Sequence, residues 1–135
     1  MIQCLLVAGD KPARDTIKVG LDQTGAFHVD AADDVWALEM AKAKKYQVVI
    51  ADTSLADGSD GLELLRKIRE ALPDAELLLI ARNKGQSRYL TRDKQQLGIY
   101  AFLHIPVETL DFFKTIGRLL ERLVDGPAPA PAAAA

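Results

Sequence analysis

Gln47–Gly61 reads Q-V-V-I-A-D-T-S-L-A-D-G-S-D-G. Its first part, Val48-Val49-Ile50-Ala51, is short, mostly β-branched and free of charge. Such a run suits a strand buried on both faces, the kind found inside a parallel sheet. It stops at Asp52, and Asp57-Gly58-Ser59-Asp60-Gly61 has the chemistry of a loop. Leu62, Leu64, Leu65 and Ile68 then recur with helical spacing. Asp52 is thereby placed at the carboxyl end of a central strand, just before a loop and a helix. In open α/β sheets ligands bind at that edge, so Asp52 is a site candidate on position alone.

Outward from this unit the pattern repeats. Ile2–Ala8 reads as a first strand, and Gly9-Asp10-Lys11-Pro12 as the turn after it. Pro12 suits the start of a helix, where its missing N–H costs nothing. That helix is expected over Ala13–Thr24, with Ile17, Gly20 and Leu21 on one side and Gly25 as its cap. Phe27–Ala31 is a weaker strand. Asp33 or Asp34 caps a second helix with Val35, Leu38 and Ala41 inward, ending in Lys42-Ala43-Lys44-Lys45. Trp36 lies off that stripe, at the sheet edge or exposed. Pro73 closes the third helix, and Ala75–Ala81 is another buried run. A polar helix over Gln86–Leu97 is capped by Gly98. Tyr100–His104 is the fifth strand. A final amphipathic helix runs from Glu108 to Val124, with Leu110, Phe113, Ile116, Leu120 and Leu123 as its apolar residues. Strand and helix alternate five times, which implies a parallel sheet covered on both faces with right-handed crossovers.

Residues 1–125 therefore read as one domain, and 126–135, G-P-A-P-A-P-A-A-A-A, as a tail or linker of extended polyproline type. The net charge of −2 lacks the basic excess that direct nucleic-acid binding usually shows. No apolar window is long enough to span a membrane, and Met1-Ile2-Gln3-Cys4 lacks a basic leader, so a cytoplasmic protein is expected. The single cysteine, Cys4, reads as a small buried thiol. His28 and His104 show no ligand spacing and read as structural. No catalytic set of side chains stands out.

Three segments together resemble the response-regulator receiver domain of two-component signalling. They are the G-D-K-P turn, V-V-I-A-D-x-x-L with D-G-L-E-L-L-R-K-I-R, and G-I-Y-A-F-L-H-I-P. The resemblance covers about residues 2–124 and is most specific in the middle segment. It implies a flavodoxin-like (βα)5 fold, doubly wound, with strand order 2-1-3-4-5, and Asp52 at the phosphoacceptor position. In that family two acidic residues after the first strand, with the phosphoacceptor, hold Mg²⁺. A Thr or Ser ending the fourth strand and a Lys before the last proline contact the phosphoryl group.

The sequence departs from that pattern. Gly9 stands at the first acidic position and leaves Asp10 alone, while Ile80 and Ile105 stand at the hydroxyl and lysine positions. Ala56 replaces a common proline, in a loop one residue longer than usual. A phosphoryl group carries roughly two negative charges at neutral pH. Each hydrogen bond to such a charge is worth roughly 1.5–3 kcal/mol. Losing the lysine and the hydroxyl thus removes roughly 3–6 kcal/mol, or about two to four powers of ten in the phosphorylated-state equilibrium. Asp10, Asp52 and the Ser54 carbonyl form the remaining, weaker Mg²⁺ set, so either no cofactor or weakly held Mg²⁺ is expected. Asp10 reads equally as a helix N-cap. Arg82 is a possible substitute cation on the pocket rim. Phe102 occupies the family's switch-aromatic position, whose motion is coupled to the missing hydroxyl, and so reads as a fixed packing or interface residue.

The expectation is an atypical, or pseudo-, receiver acting as a protein-interaction module without aspartyl phosphorylation. Its partner, or a second copy, would bind the face of Gln86–Leu97, Tyr100–His104 and the last helix. The alternatives are a Mg²⁺-dependent phospho-switch fed by a histidine kinase through Asp52, and a small-ligand sensor. The sensor ranks last, because no Gly-rich phosphate loop follows the first strand.

Overall fold

The computed structural model describes residues 1–32, 34–53, 61–81, 90–105 and 107–124. Its elements alternate as β1 (Ile2–Val7), α1 (Lys11–Thr24), β2 (Phe27–Ala32), α2 (Asp34–Ala43), β3 (Val48–Asp52), α3 (Gly61–Ala71), β4 (Glu76–Ala81), α4 (Thr91–Leu97), β5 (Ile99–His104) and α5 (Thr109–Val124). The strands form one parallel sheet in the order β2-β1-β3-β4-β5, the flavodoxin-like arrangement expected. Asp33, the side chain of Val35, residues 54–60, residues 82–89 and residues 125–135 lie outside the described residues.

Side-chain alternation along the strands divides the core into two layers. Leu5, Val7, Val49, Ala51, Leu77 and Leu79 face α2 and α3, where Ala37, Ala41, Leu65 and Ile68 meet them. Cys4, Leu6, Val48, Ile50, Leu78 and Ile80 face α1 and α5, where Ile17, Leu21, Phe112, Ile116 and Leu119 meet them. β3 is buried along its whole length, as its unbroken apolar run requires. Cys4 is fully buried, and that burial, with Asp30 adding to it, pushes its thiol up to about 12. It is a core residue.

Gly25 and Gly98 end α1 and α4 in the left-handed conformation, at φ 70° and 69°. Gly20 serves a different purpose. A Cβ built there would lie 2.6 Å from Cε2 of Phe112, so the missing side chain lets α5's ring rest directly on α1.

Two expectations shift. α1 begins two residues before the expected Ala13, so Pro12 sits inside its first turn. On α5 the inward residues are Phe112, Ile116 and Leu119, with Leu120 and Leu123 partly covered. Leu110 is 78% exposed and Phe113 36% exposed, so the stripe read from the sequence straddled the true inner face. The sequence was ambiguous because α5 has apolar residues on two adjacent faces. Trp36 is exposed, at 63%.

Candidate functional site

β3 carries Asp52 to the carboxyl edge of the sheet. Among the described residues Asp52 is the buried charged side chain, with 0% exposure. It is in register with Ile80 on β4, and the Thr53 N–H donates to the Ile80 carbonyl at 3.2 Å. The next strand closes likewise, with the Ile105 N–H donating to the Ala81 carbonyl at 3.0 Å. These bonds fix the ends of β3, β4 and β5 as one rim. The Thr53 hydroxyl lies 3.4 Å from Oδ1 of Asp52, a long contact that sequence reading did not single out.

Gly61 closes the far side of the loop that follows. Its N–H donates to the Thr53 carbonyl at 3.1 Å. A Cβ built on it would fall 1.7 Å from the carbonyl oxygen of Asp52, inside bonding distance. No residue but glycine fits there. The D-G before the helix is therefore a steric requirement: it brings the start of α3 onto the backbone of Asp52 itself.

At β1's end, Gly9 offers no side chain and Asp10 is exposed. Asp10 is the N-cap residue of α1 with extended backbone, φ −83° and ψ 106°, and its carbonyl accepts from the Arg14 N–H at 2.9 Å. Its side chain makes no capping bond, so the N-cap role belongs to its backbone alone. The Arg14 guanidinium donates to the Ala8 carbonyl at 3.1 Å, placing a cation over the end of β1. Sequence reading passed over Arg14; its position one turn after the strand-end acid was the available signal.

Strand parity separates two positions that the sequence treated together. Ile80 is fully buried in the layer under α1 and α5, together with Ile105. Phe102 packs on the opposite layer, against the cluster that holds Leu77 and Leu79. A side chain on β4 that couples to Phe102 must leave on Phe102's side, and by alternation that residue is Ala81, not Ile80. Neither carries a hydroxyl. Phe102 is held from outside: Lys94 Nζ lies 5.6 Å from its ring centroid, and the exposed His104 ring lies 6.4 Å away. His28 lies 3.2 Å from Asp30, which also accepts from Tyr46 and Lys44 at 2.7 and 3.0 Å. Both histidines are thus remote from Asp52 in their contacts. A groove of about 660 Å³ opens elsewhere, lined by Tyr46, Leu72, Pro73, Glu76 and Arg122 at the amino edge of the sheet.

Ser54, Arg82 and residues 86–89 of the expected interaction face lie outside the described residues. Among the described residues no cluster of three or more His, Cys, Asp or Glu side chains could hold a metal ion. The oxygen donors of Asp10 and Asp52 suit Mg²⁺ in kind, but two carboxylates fit only a weakly held ion with most of its water retained.

A doubly wound parallel sheet with a buried carboxylate at the end of its central strand and a glycine-clamped loop beyond it defines a signalling domain of the receiver type. The response regulator receiver domain profile matches residues 4–116, and the chain belongs to that family. It is 29% identical over 119 residues to the C4-dicarboxylate transport transcriptional regulatory protein DctD of Pseudomonas aeruginosa, covering 88% of this chain but 25% of that protein. The chain thus spans about a quarter of that relative's length. The fold is shared with the chemotaxis response regulator CheY4 of Vibrio cholerae, with TM-score 0.74 and 21% identity over 87% of this chain and 98% of that one. It is also shared with NtrX of Brucella abortus, solved in complex with ATP, with TM-score 0.76 and 23% identity over 88% of this chain and 27% of that one.

Proposed function

We propose that this receiver domain works in signal transduction as a protein-interaction module that does not depend on phosphorylation of Asp52. Receiver domains interact with partner proteins, and among the described residues no helix is long and apolar enough to cross a membrane. The observation that carries the reading is the wall around Asp52. Its register partner is Ile80, the next residue is Ala81, and the position before the last proline is the buried Ile105. A phosphoryl group added there would meet hydrocarbon where a hydroxyl and an ammonium are needed. Charge in such surroundings is strongly disfavoured unless it is paired. Gly9 removes one of the acids that would recruit Mg²⁺, and with it the counter-charge for the transferred group.

The surface left to act is that of α4, β5 and α5. Phe102, bracketed by Lys94 and His104, is a fixed part of it, because no side-chain hydroxyl on β4 is present to pull the ring inward. Arg82 and Ser54 enter this reading only as the substitute cation and the third metal oxygen of the rival one.

That rival is a Mg²⁺-dependent phospho-switch. One observation favours it: Asp52 is in place and the Gly61 clamp that shapes its loop is intact. Amide NMR spectra with and without Mg²⁺ and beryllofluoride separate the two. The module reading expects spectra that superimpose. Shifts spreading from Asp52 to Phe102 and α5 would replace it with the switch.

A further inference from the structure

The outer face of α5 has no explanation within this chain. The helix already has one apolar stripe, Phe112, Ile116, Leu119 and Leu123, turned to the sheet. A second stripe follows beside it: Leu110, Phe113, Gly117 and Leu120, at successive spacings of three, four and three residues. That is the spacing of a seam meant for another helix. Leu110 is 78% exposed and Phe113 36% exposed, so the seam is open at its first half. Phe113 is nevertheless fixed in place, standing edge-on to the buried Phe112 with ring centroids 5.2 Å apart.

Gly117 is the telling residue. Glycine inside a helix is unfavourable against alanine, and it is kept where something must come close. Gly20 meets that description, because Phe112 fills the space above it. Gly117 does not: a Cβ built there meets nothing within 4 Å. It leaves a hole in an exposed apolar stripe, one turn from a projecting phenyl ring. A hole and a knob on the same face are self-complementary under a two-fold axis, where a residue that contacts its counterpart is contacted by it in return.

We propose that the chain self-associates through α5, two copies packing antiparallel along Leu110, Phe113, Gly117 and Leu120. The Phe113 ring of each copy seats over Gly117 of the other. The same axis brings Leu110 of each copy over Leu120 of the other, so both layers close at once. This surface lies on the side of α5 away from Arg122, which stacks on the Tyr100 ring of β5 at 5.2 Å. It therefore leaves the α4–β5 surface open to a different partner. The proposal does not depend on whether Asp52 takes a phosphoryl group.

Sedimentation velocity of the whole chain over a wide concentration range, without Mg²⁺ or phosphodonor, tests it. The wild type is expected to show a reversible monomer–dimer equilibrium. Phe113→Ala removes the knob and Gly117→Leu fills the hole, and each is expected to weaken the dimer about tenfold or more, as loss of a central aromatic contact does. Gly117→Leu introduces a good helix former into open space, so its melting temperature should hold or rise, which separates lost pairing from lost folding. The exchanged variant, Phe113→Ala with Gly117→Phe, should regain the dimer because knob and hole have traded places. A wild type that stays monomeric throughout overturns the proposal. So does Gly117→Leu dimerising like the wild type, or an exchanged variant that fails to recover.

Discussion

Asp52 and Gly61 show how one residue's chemistry depends on another's absence. Asp52 has the position of an acceptor, yet what reaches its backbone is α3, through a glycine whose Cβ would collide with the Asp52 carbonyl. Gly61→Ala should therefore destabilise the fold by about 2 kcal/mol or more, since main chain rather than a flexible side chain must move. Urea unfolding gives the value, and an unchanged midpoint would mean that the loop relaxes freely. Arg69 shows the opposite case, a residue whose importance lies in what it reaches. Its guanidinium donates to the carbonyls of Leu97, Gly98, Pro73 and Ala75, tying the end of α3 to the start of β4 and the end of α4. Burial holds its pKa below the usual arginine value. Nothing in R-K-I-R marks that arginine out, because its partners lie up to 29 residues away. Asp52 was legible because strand ends announce themselves; Arg69 was not, because backbone carbonyls have no sequence signature.

At the scale of elements, apolar periodicity was enough to find every strand and helix, and it failed where an element has two apolar faces. α3 has one, and Leu62, Leu64, Leu65 and Ile68 are buried as their spacing requires. α5 has two, and the spacing alone did not say which was inner. The glycines of α1 and α5 resolve it, and they predict opposite outcomes. Gly20→Ala gains helix propensity but drives a methyl into the Phe112 ring, for a net loss of about 1 kcal/mol. Gly117→Ala meets open space and should stabilise the monomer by about 0.5–1 kcal/mol. Thermal unfolding of both variants at low concentration is the check, and a shared sign would refute the packing described. The edge strand β2 makes a pH prediction. The hydrogen bond from Tyr46, followed by that from Lys44, holds the Asp30 carboxyl below the usual carboxylate range. A depressed carboxyl stabilises the fold above its unfolded pKa, and that contribution is lost as pH falls through the folded value. Tyr46→Phe should then cost stability at pH 7, and the gap to the wild type should narrow as pH falls below about 4. A gap independent of pH would assign the loss to packing around the ring.

For the molecule as a whole, a binding module and a chemical switch make different demands on the same charge. A switch must keep a carboxylate at the end of β3 whatever it costs, because that group takes the phosphoryl. A module acting through its helices has no such need, and its stability then follows physical cost alone. Asp52 is fully buried at the edge of a layer made of Ile50, Ile80 and Ile105. Withdrawing a carboxylate from water into such surroundings is expensive, and an amide of the same shape is less so. Asp52→Asn is therefore expected to raise the stability of the domain at pH 7 by about 1 kcal/mol, while self-association and binding at the α4–β5 surface stay as in the wild type. Denaturant unfolding and sedimentation of the variant measure both halves. Lower stability would show that the Asp52 carboxylate is itself anchored by the rim around it. Altered association with stability unchanged would show that its charge is read at the helices, and the phospho-switch would become the better account of why the residue is there.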